Sequence, residues 1–153
     1  MTYADNYNLR LATATANDVA SAVDGLLISY QRQILSSTIS STSAASTVMT
    51  GSSVTISVAS GEVVEINACV TLSHSVIGSQ IEVTVEEDGV NITPNSRWIA
   101  TASLTNGIEG TVSYHNIITT SVGSHTYKLK WATSAATAYS NRSILTVKAL
   151  QNT

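Results

Sequence analysis

The stretch Ser124-His125-Thr126-Tyr127-Lys128-Leu129-Lys130-Trp131 alternates strictly, with Tyr127, Leu129 and Trp131 on one side of an extended chain and Lys128 and Lys130 on the other. Successive side chains of a strand point to opposite faces, so this period of two describes a strand with one buried and one wet face. The same period recurs on either side of it. Ile81, Val83 and Val85 oppose Glu82, Thr84 and Glu86, and Leu145, Val147 and Ala149 oppose Ile144, Thr146 and Lys148. The pattern predicts strands over residues 47–50, 54–59, 62–72, 80–87, 97–105, 110–119, 125–133 and 142–149, with a weaker piece at 137–140. They recur about every 8–12 residues, the rhythm of an all-β sandwich or barrel. Glu87-Asp88-Gly89-Val90 predicts a hairpin, because Asp-Gly accommodates the two positive φ angles of a type I′ turn. Asn106-Gly107 is a second such dipeptide, and Pro94 marks a loop.

Before residue 36 the period changes. Val19, Ala22, Val23, Leu26, Leu27, Tyr30 and Ile34 recur at helical spacing, which predicts an amphipathic helix from Asn17 to Ile34. Thr15-Ala16-Asn17-Asp18 supplies a helix start signal. Val19, Val23, Leu26 and Tyr30 follow steps of four, three and four, the seam of a short coiled coil, and are the candidate docking or oligomer contacts. The expected organisation is an arm and docking helix over 1–35, a Ser/Thr linker over 36–46 and a β-sandwich over 47–153.

Composition narrows the function classes. Of 153 residues, 23 are Ser and 21 are Thr. Only 11% are charged, against roughly 25% in a typical soluble domain. With a net charge of −3 and no Lys/Arg run, there is nothing to release counterions from a phosphate backbone, which argues against nucleic-acid binding. Cys69, the one cysteine, excludes an intrachain disulfide framework and reads as a buried, inert thiol in the apolar run from Val63 to Val70. No apolar run approaches the ~18 residues that span a bilayer, so membrane insertion is not expected. MTYADNYNLR lacks the basic and apolar regions of a secretory leader, so the protein is expected to stay in the cytoplasm where it is made or to leave by a route that needs no signal, such as assembly into a particle released by lysis.

Reactive constellations are missing. His74, His115 and His125 fall on different strands or loops without ligand spacing, and no metal site is expected from them. The acidic triplet Glu86-Glu87-Asp88 lacks the oxygen ligands at fixed offsets of a calcium loop and reads as a solvated turn. Paired carboxylates for glycoside hydrolysis could be drawn from Glu62, Glu65, Glu82 and Glu109, but the sequence alone places no two of them at the ~5–9 Å separation that chemistry needs. There is no G-x-S-x-G elbow, no P-loop and no dinucleotide fingerprint. Neither an enzyme nor a cofactor is expected. Among the aromatics, Trp131 with Leu129 and Tyr127 belongs to the core, whereas Trp98, Tyr114 and Tyr139 are the candidate surface-binding residues.

The run from Gly123 through Trp131, followed by Ala138-Tyr139 and Arg142-Ser143-Ile144-Leu145-Thr146-Val147, resembles the C-terminal strands of trimeric jelly-roll domains in tailed-phage virion proteins. Head fibres, capsid decoration proteins and tail-tip adhesins carry such domains, and the C1q/TNF-like jelly rolls are their broader relatives. Gly61-Glu62-Val63-Val64-Glu65-Ile66 resembles a strand start of the same domains, and the likeness covers residues 46 to 150. The resemblance implies a jelly-roll-like antiparallel sandwich of about eight strands, preceded by the arm and the amphipathic helix. It also implies a homotrimeric structural protein on a bacteriophage exterior, docked by its arm to capsid or tail proteins. The alternative is a tail adhesin that binds a glycan or protein of the host surface.

Overall fold

The computed structural model describes residues 27–92, 96–99 and 109–151, with side chains undescribed at 27–28 and 96–99. Ten strands run through these residues: β1 (Leu27–Leu35), β2 (Ile39–Ser41), β3 (Thr47–Val58), β4 (Glu62–His74), β5 (Gln80–Glu87), β6 (Val90–Asn91), β7 (Ser96–Ile99), β8 (Gly110–Ile118), β9 (Gly123–Thr133) and β10 (Ala138–Gln151). One sheet has the order β1-β10-β4-β8, with β2 also on β10, and the other the order β3-β9-β5-β6, with β7 also on β5. Every pairing is antiparallel. The connections β3 to β4, β4 to β5, β8 to β9 and β9 to β10 each cross from one sheet to the other, which is a jelly-roll-like winding.

Alternation built the core, as anticipated for β5, β9 and β10. Val64, Ile66, Ala68, Val70 and Leu72 from β4 meet Ile81, Val83 and Val85 from β5, Tyr127, Leu129 and Trp131 from β9, and Leu145, Val147 and Ala149 from β10. The tight hairpin is present: Asp88 and Gly89 have φ of 48° and 93°, and Glu87 pairs with Val90 across them.

Two expectations need correction. Residues 27–34, assigned to the C-terminal half of the helix, lie in strand β1, which pairs with β10 from Leu27↔Leu150 to Leu35↔Ser143. No helix occurs among the described residues, and 17–26 lie outside them. Within the expected linker, Ile39–Ser41 forms β2 against the start of β10. The cause is an inverted edge strand. Tyr30 and Ile34 stand opposite Lys148 and Ile144 on the outer face, whereas Gln31 and Gln33 stand opposite the core residues Val147 and Leu145. With apolar residues outward at 30 and 34, the spacing imitates one face of a helix. Cys69 is the second correction. It is half-buried on the outer face, because Ala68 and Val70 take the inward positions.

The β3–β9 register shifts between Val48 and Ser53. In that irregularity Gly51 adopts φ +80°, and a Cβ there would meet Leu35 Cδ2 of β1 at 2.9 Å. Gly51→Ala is therefore expected to cost about 1–2 kcal/mol for the left-handed backbone alone, and more as Leu35 shifts. Chemical denaturation against Gly78→Ala, which has φ +80° but open space around it, separates the steric part.

Candidate functional site

The two outer faces of the sandwich differ in chemistry. Outside the second sheet, β3 offers Ser53, Thr55 and Ser57 and β9 offers Thr126, Lys128 and Lys130, with Lys130 Nζ 2.8 Å from Glu86. Outside the first sheet, register sets three rows across four strands. The first is Tyr30, Lys148, Glu65 and Ile117; the second is Arg32, Thr146, Asn67 and His115; the third is Ile34, Ile144, Cys69 and Ser113. Tyr30, Ile34 and Ile117 are 46%, 42% and 54% exposed, so apolar groups lie open at both margins of this face.

A compensated charge cluster sits between those margins. Lys148 Nζ donates to Glu65 Oε2 at 2.7 Å, and His115 Nε2 lies 3.2 Å from Glu65 Oε1. The Lys148 bond, followed by the Asn67 side chain, holds the Glu65 carboxyl below its ordinary pKa. Beside it runs a shallow depression lined by Asn67, Cys69, Ser113, His115, Ile144 and Thr146. Amide, hydroxyl, imidazole and aliphatic groups alternate there, a composition suited to contact with another surface and lacking a paired nucleophile and base.

The sequence candidates are dispersed. Of the docking set, Tyr30 lies on β1 at the margin of this face, and Val19, Val23 and Leu26 lie outside the described residues. Tyr114 points inward from β8, packs against the core, and buries a hydroxyl that has no partner among the described residues. Tyr139 is half-buried on the outer side of β10, opposite Ser73. Trp98 lies in β7 opposite Ile81. Tyr114 and Tyr139 therefore do not share a surface.

The three histidines also lie apart. His74 is buried at one end of the sandwich. Thr133 Oγ1 gives its proton to the Ala135 carbonyl at 2.8 Å and so accepts from His74 Nε2 at 2.7 Å, while His74 Nδ1 accepts the Val76 amide at 2.9 Å. That pattern fixes the neutral tautomer with its proton on Nε2. His115 is exposed on Glu65. His125 anchors a cluster at the opposite end that sequence reasoning missed. Its Nδ1 lies 2.8 Å from Asp88 Oδ2 and 3.3 Å from Glu87 Oε1, and its Nε2 lies 2.9 Å from the Ser121 carbonyl. Glu87 Oε1 also accepts the Tyr127 and Thr120 hydroxyls at 2.7 and 2.6 Å, and Asp88 Oδ1 accepts the Thr126 amide at 2.8 Å. Burial, then the Glu87 bond, pushes the Tyr127 hydroxyl well above its ordinary pKa, so it stays a donor.

Glu87, Asp88 and His125 bring their ligand atoms within 4.8 Å of one another, close enough to surround a cation. Both ring nitrogens and the Glu87 oxygen are already hydrogen-bonded, however, so the cluster is a closed hydrogen-bond network. The sequence signal available was the Asp-Gly turn together with His125 at the start of a strand. Their proximity depends on the Glu87↔Tyr127 register, which links residues far apart in the chain.

No protein-family profile and no curated protein matches the chain. Solved structures do. The crystal structure of the infectious bursal disease virus VP2 subviral particle superposes with a TM-score of 0.53 at 16% identity, covering 82% of this chain and 34% of that one. The structure of the Gt strain of the same virus gives 0.51 at 14% identity, covering 82% and 38%. The chain thus spans about a third of the length of the capsid chains it resembles. A more distant neighbour is the Eiger TNF of S. frugiperda, at 0.49 and 10% identity over 81% of this chain and 94% of that one. The fold shown is a jelly-roll-like sandwich of the kind found in a viral capsid protein.

Proposed function

We propose that this chain is a structural protein on the exterior of a bacteriophage virion. It forms a homotrimer, docks to capsid or tail proteins through its N-terminal arm, and presents the sandwich outward. The observation that supports this reading most directly is the superposition of 82% of the chain on a subviral-particle protein. The outer face of the first sheet, with apolar margins around a neutralised charge cluster, agrees with a scaffold role. β1 begins at the same end of the sandwich as the His125 cluster, which places the join to any N-terminal tether there.

The test is co-sedimentation of purified protein with phage particles that lack it. Saturable binding that is lost when residues 1–26 are removed supports the reading, and equal binding without those residues refutes the docking assignment. Labelling of host cells by the free protein, lost on Trp98→Ala with the fold intact, would instead favour the adhesin. Light scattering of the free protein is expected to give three times the 16.0 kDa mass of one chain. A monomer at that mass would overturn the trimer.

A further inference from the structure

We infer that protonated His125 is a pin that fastens the β8–β9 loop to the β5–β6 turn, so that this end of the sandwich loosens when the imidazole loses its proton. The inference does not depend on the proposed virion role.

The argument begins with donors and acceptors. His125 is 7% exposed, at the start of β9. Its Nε2 faces the Ser121 carbonyl at 2.9 Å, with the Ser121 hydroxyl at 3.4 Å, and a carbonyl can only accept. Its Nδ1 faces Asp88 Oδ2 at 2.8 Å and Glu87 Oε1 at 3.3 Å. The hydroxyls of Thr120 and Tyr127 donate to that same Glu87 oxygen, as suits an ionised carboxylate. Thus both ring nitrogens point at acceptors. A neutral imidazole has one N–H and would leave a lone pair against an acceptor on the other side. Only the imidazolium satisfies both contacts, and each is charge-assisted.

The surroundings of the ring are accounted for element by element. The β5–β6 turn contributes Glu87 and Asp88, and the β8–β9 loop contributes Thr120 and Ser121. β9 itself contributes Tyr127, bonded to Glu87, and Lys128, whose charge acts on Asp88. β3 places Ile56 opposite His125 in the register. Two carboxylates thus face one imidazolium, and Lys128 lies at the rim.

The sign of the pH dependence follows. Burial pushes the His125 pKa down, but the Asp88 bond, the Ser121 carbonyl and the two carboxylate charges outweigh it and hold it above 6.5. A raised pKa gives stability that is complete below the unfolded value of 6.5 and disappears as pH rises through the folded value. Asp88 behaves in the opposite sense. The Thr126 amide first, and His125 with Lys128 after it, hold its carboxyl below 3.8, so its contribution is present above 3.8 and disappears as pH falls through the folded value. The pin is therefore fully fastened between pH 3.8 and 6.5 and opens on either side.

Hydrogen exchange of the full-length protein from pH 5 to 9, corrected for intrinsic rates, tests this. Opening at residues 119–124 is expected to grow with pH above 6.5, by at most about tenfold per pH unit for one linked proton, and to level off once the folded-state imidazole is itself deprotonated. Asp88→Asn keeps both a turn-forming Asn-Gly pair and an acceptor for the Thr126 amide, and removes the charge. It is expected to narrow the pH range over which opening grows, with the His125 ring titration moving down in parallel by NMR. Flat protection across this range, or superimposable wild-type and Asp88→Asn profiles, would overturn the inference. So would stoichiometric binding of Zn²⁺ at pH 7 with release of a proton, because the three groups would then hold a metal in place of the proton.

Discussion

Deleting residues 1–35 destroys the folded sandwich, whereas deleting residues 1–26 leaves it intact; circular dichroism and thermal unfolding of the two shortened chains distinguish these outcomes. The sequence pattern put both cuts within one arm, but β1 lies between them and is a working strand of the first sheet. It covers one side of β10 along a ladder from Leu150 to Ser143 and sets Leu35 over Gly51 of the opposite sheet. Without β1, most of that side of β10 becomes a bare edge, a template for association with other chains. The loss is on the order of 5 kcal/mol or more, comparable to the whole stability of an ordinary domain. Cooperative melting of both fragments within a few degrees of the full chain would show β1 to be dispensable. The cut that tests docking therefore belongs before Leu27.

Ser52→Ala is the point substitution with the largest expected effect on the fold. Ser52 is 1% exposed inside the β3 irregularity, where its hydroxyl accepts from the Leu129 amide at 3.1 Å and donates to the Leu129 carbonyl at 3.2 Å. One side chain thus stands in for the strand partner that the register shift removes. Alanine leaves both backbone groups buried and unpaired. At about 1–3 kcal/mol for each of the two groups, the expected cost is about 2–6 kcal/mol. Ser53→Ala, on the exposed side of the same strand, is expected to change stability by less than about 0.5 kcal/mol. Equal midpoints for the two variants in urea would show that water replaces the Ser52 hydroxyl without cost.

Much of the fold was legible because period-two burial is a local signal. Ile81, Val83 and Val85, or Tyr127, Leu129 and Trp131, declare a buried face without reference to any other strand. The Asp88-Gly89 turn was legible for the same reason, since its positive φ angles are a property of two adjacent residues. What misled was β1. Its outward residues, Tyr30 and Ile34, are apolar, and the residues beside the core positions of β10 are Gln31 and Gln33, so the usual correspondence between apolar and inward is reversed. Tyr114 misled in another way, because an aromatic with a polar tip was read as a surface residue when its ring packs inward. The His125 cluster was out of reach for a third reason. Each partner was visible, but their meeting depends on how β5 pairs with β9 and on where the loop before β9 returns.

The place of β10 in the sheet has a consequence for how the protein is made. Of the described strands, the last in chain order, β10, lies between the first, β1, and β4. Until residues 138–151 emerge, β1 has no neighbour to pair with, and one side of β4 stays open. A nascent chain that stalls before residue 138 therefore holds the two sides of a gap and lacks the strand that fills it. Closure of the first sheet waits for β10 and proceeds through contacts distant in sequence, which are slow to form. Any partner that recognises the assembled outer face of that sheet would thereby reject chains that stop before residue 138.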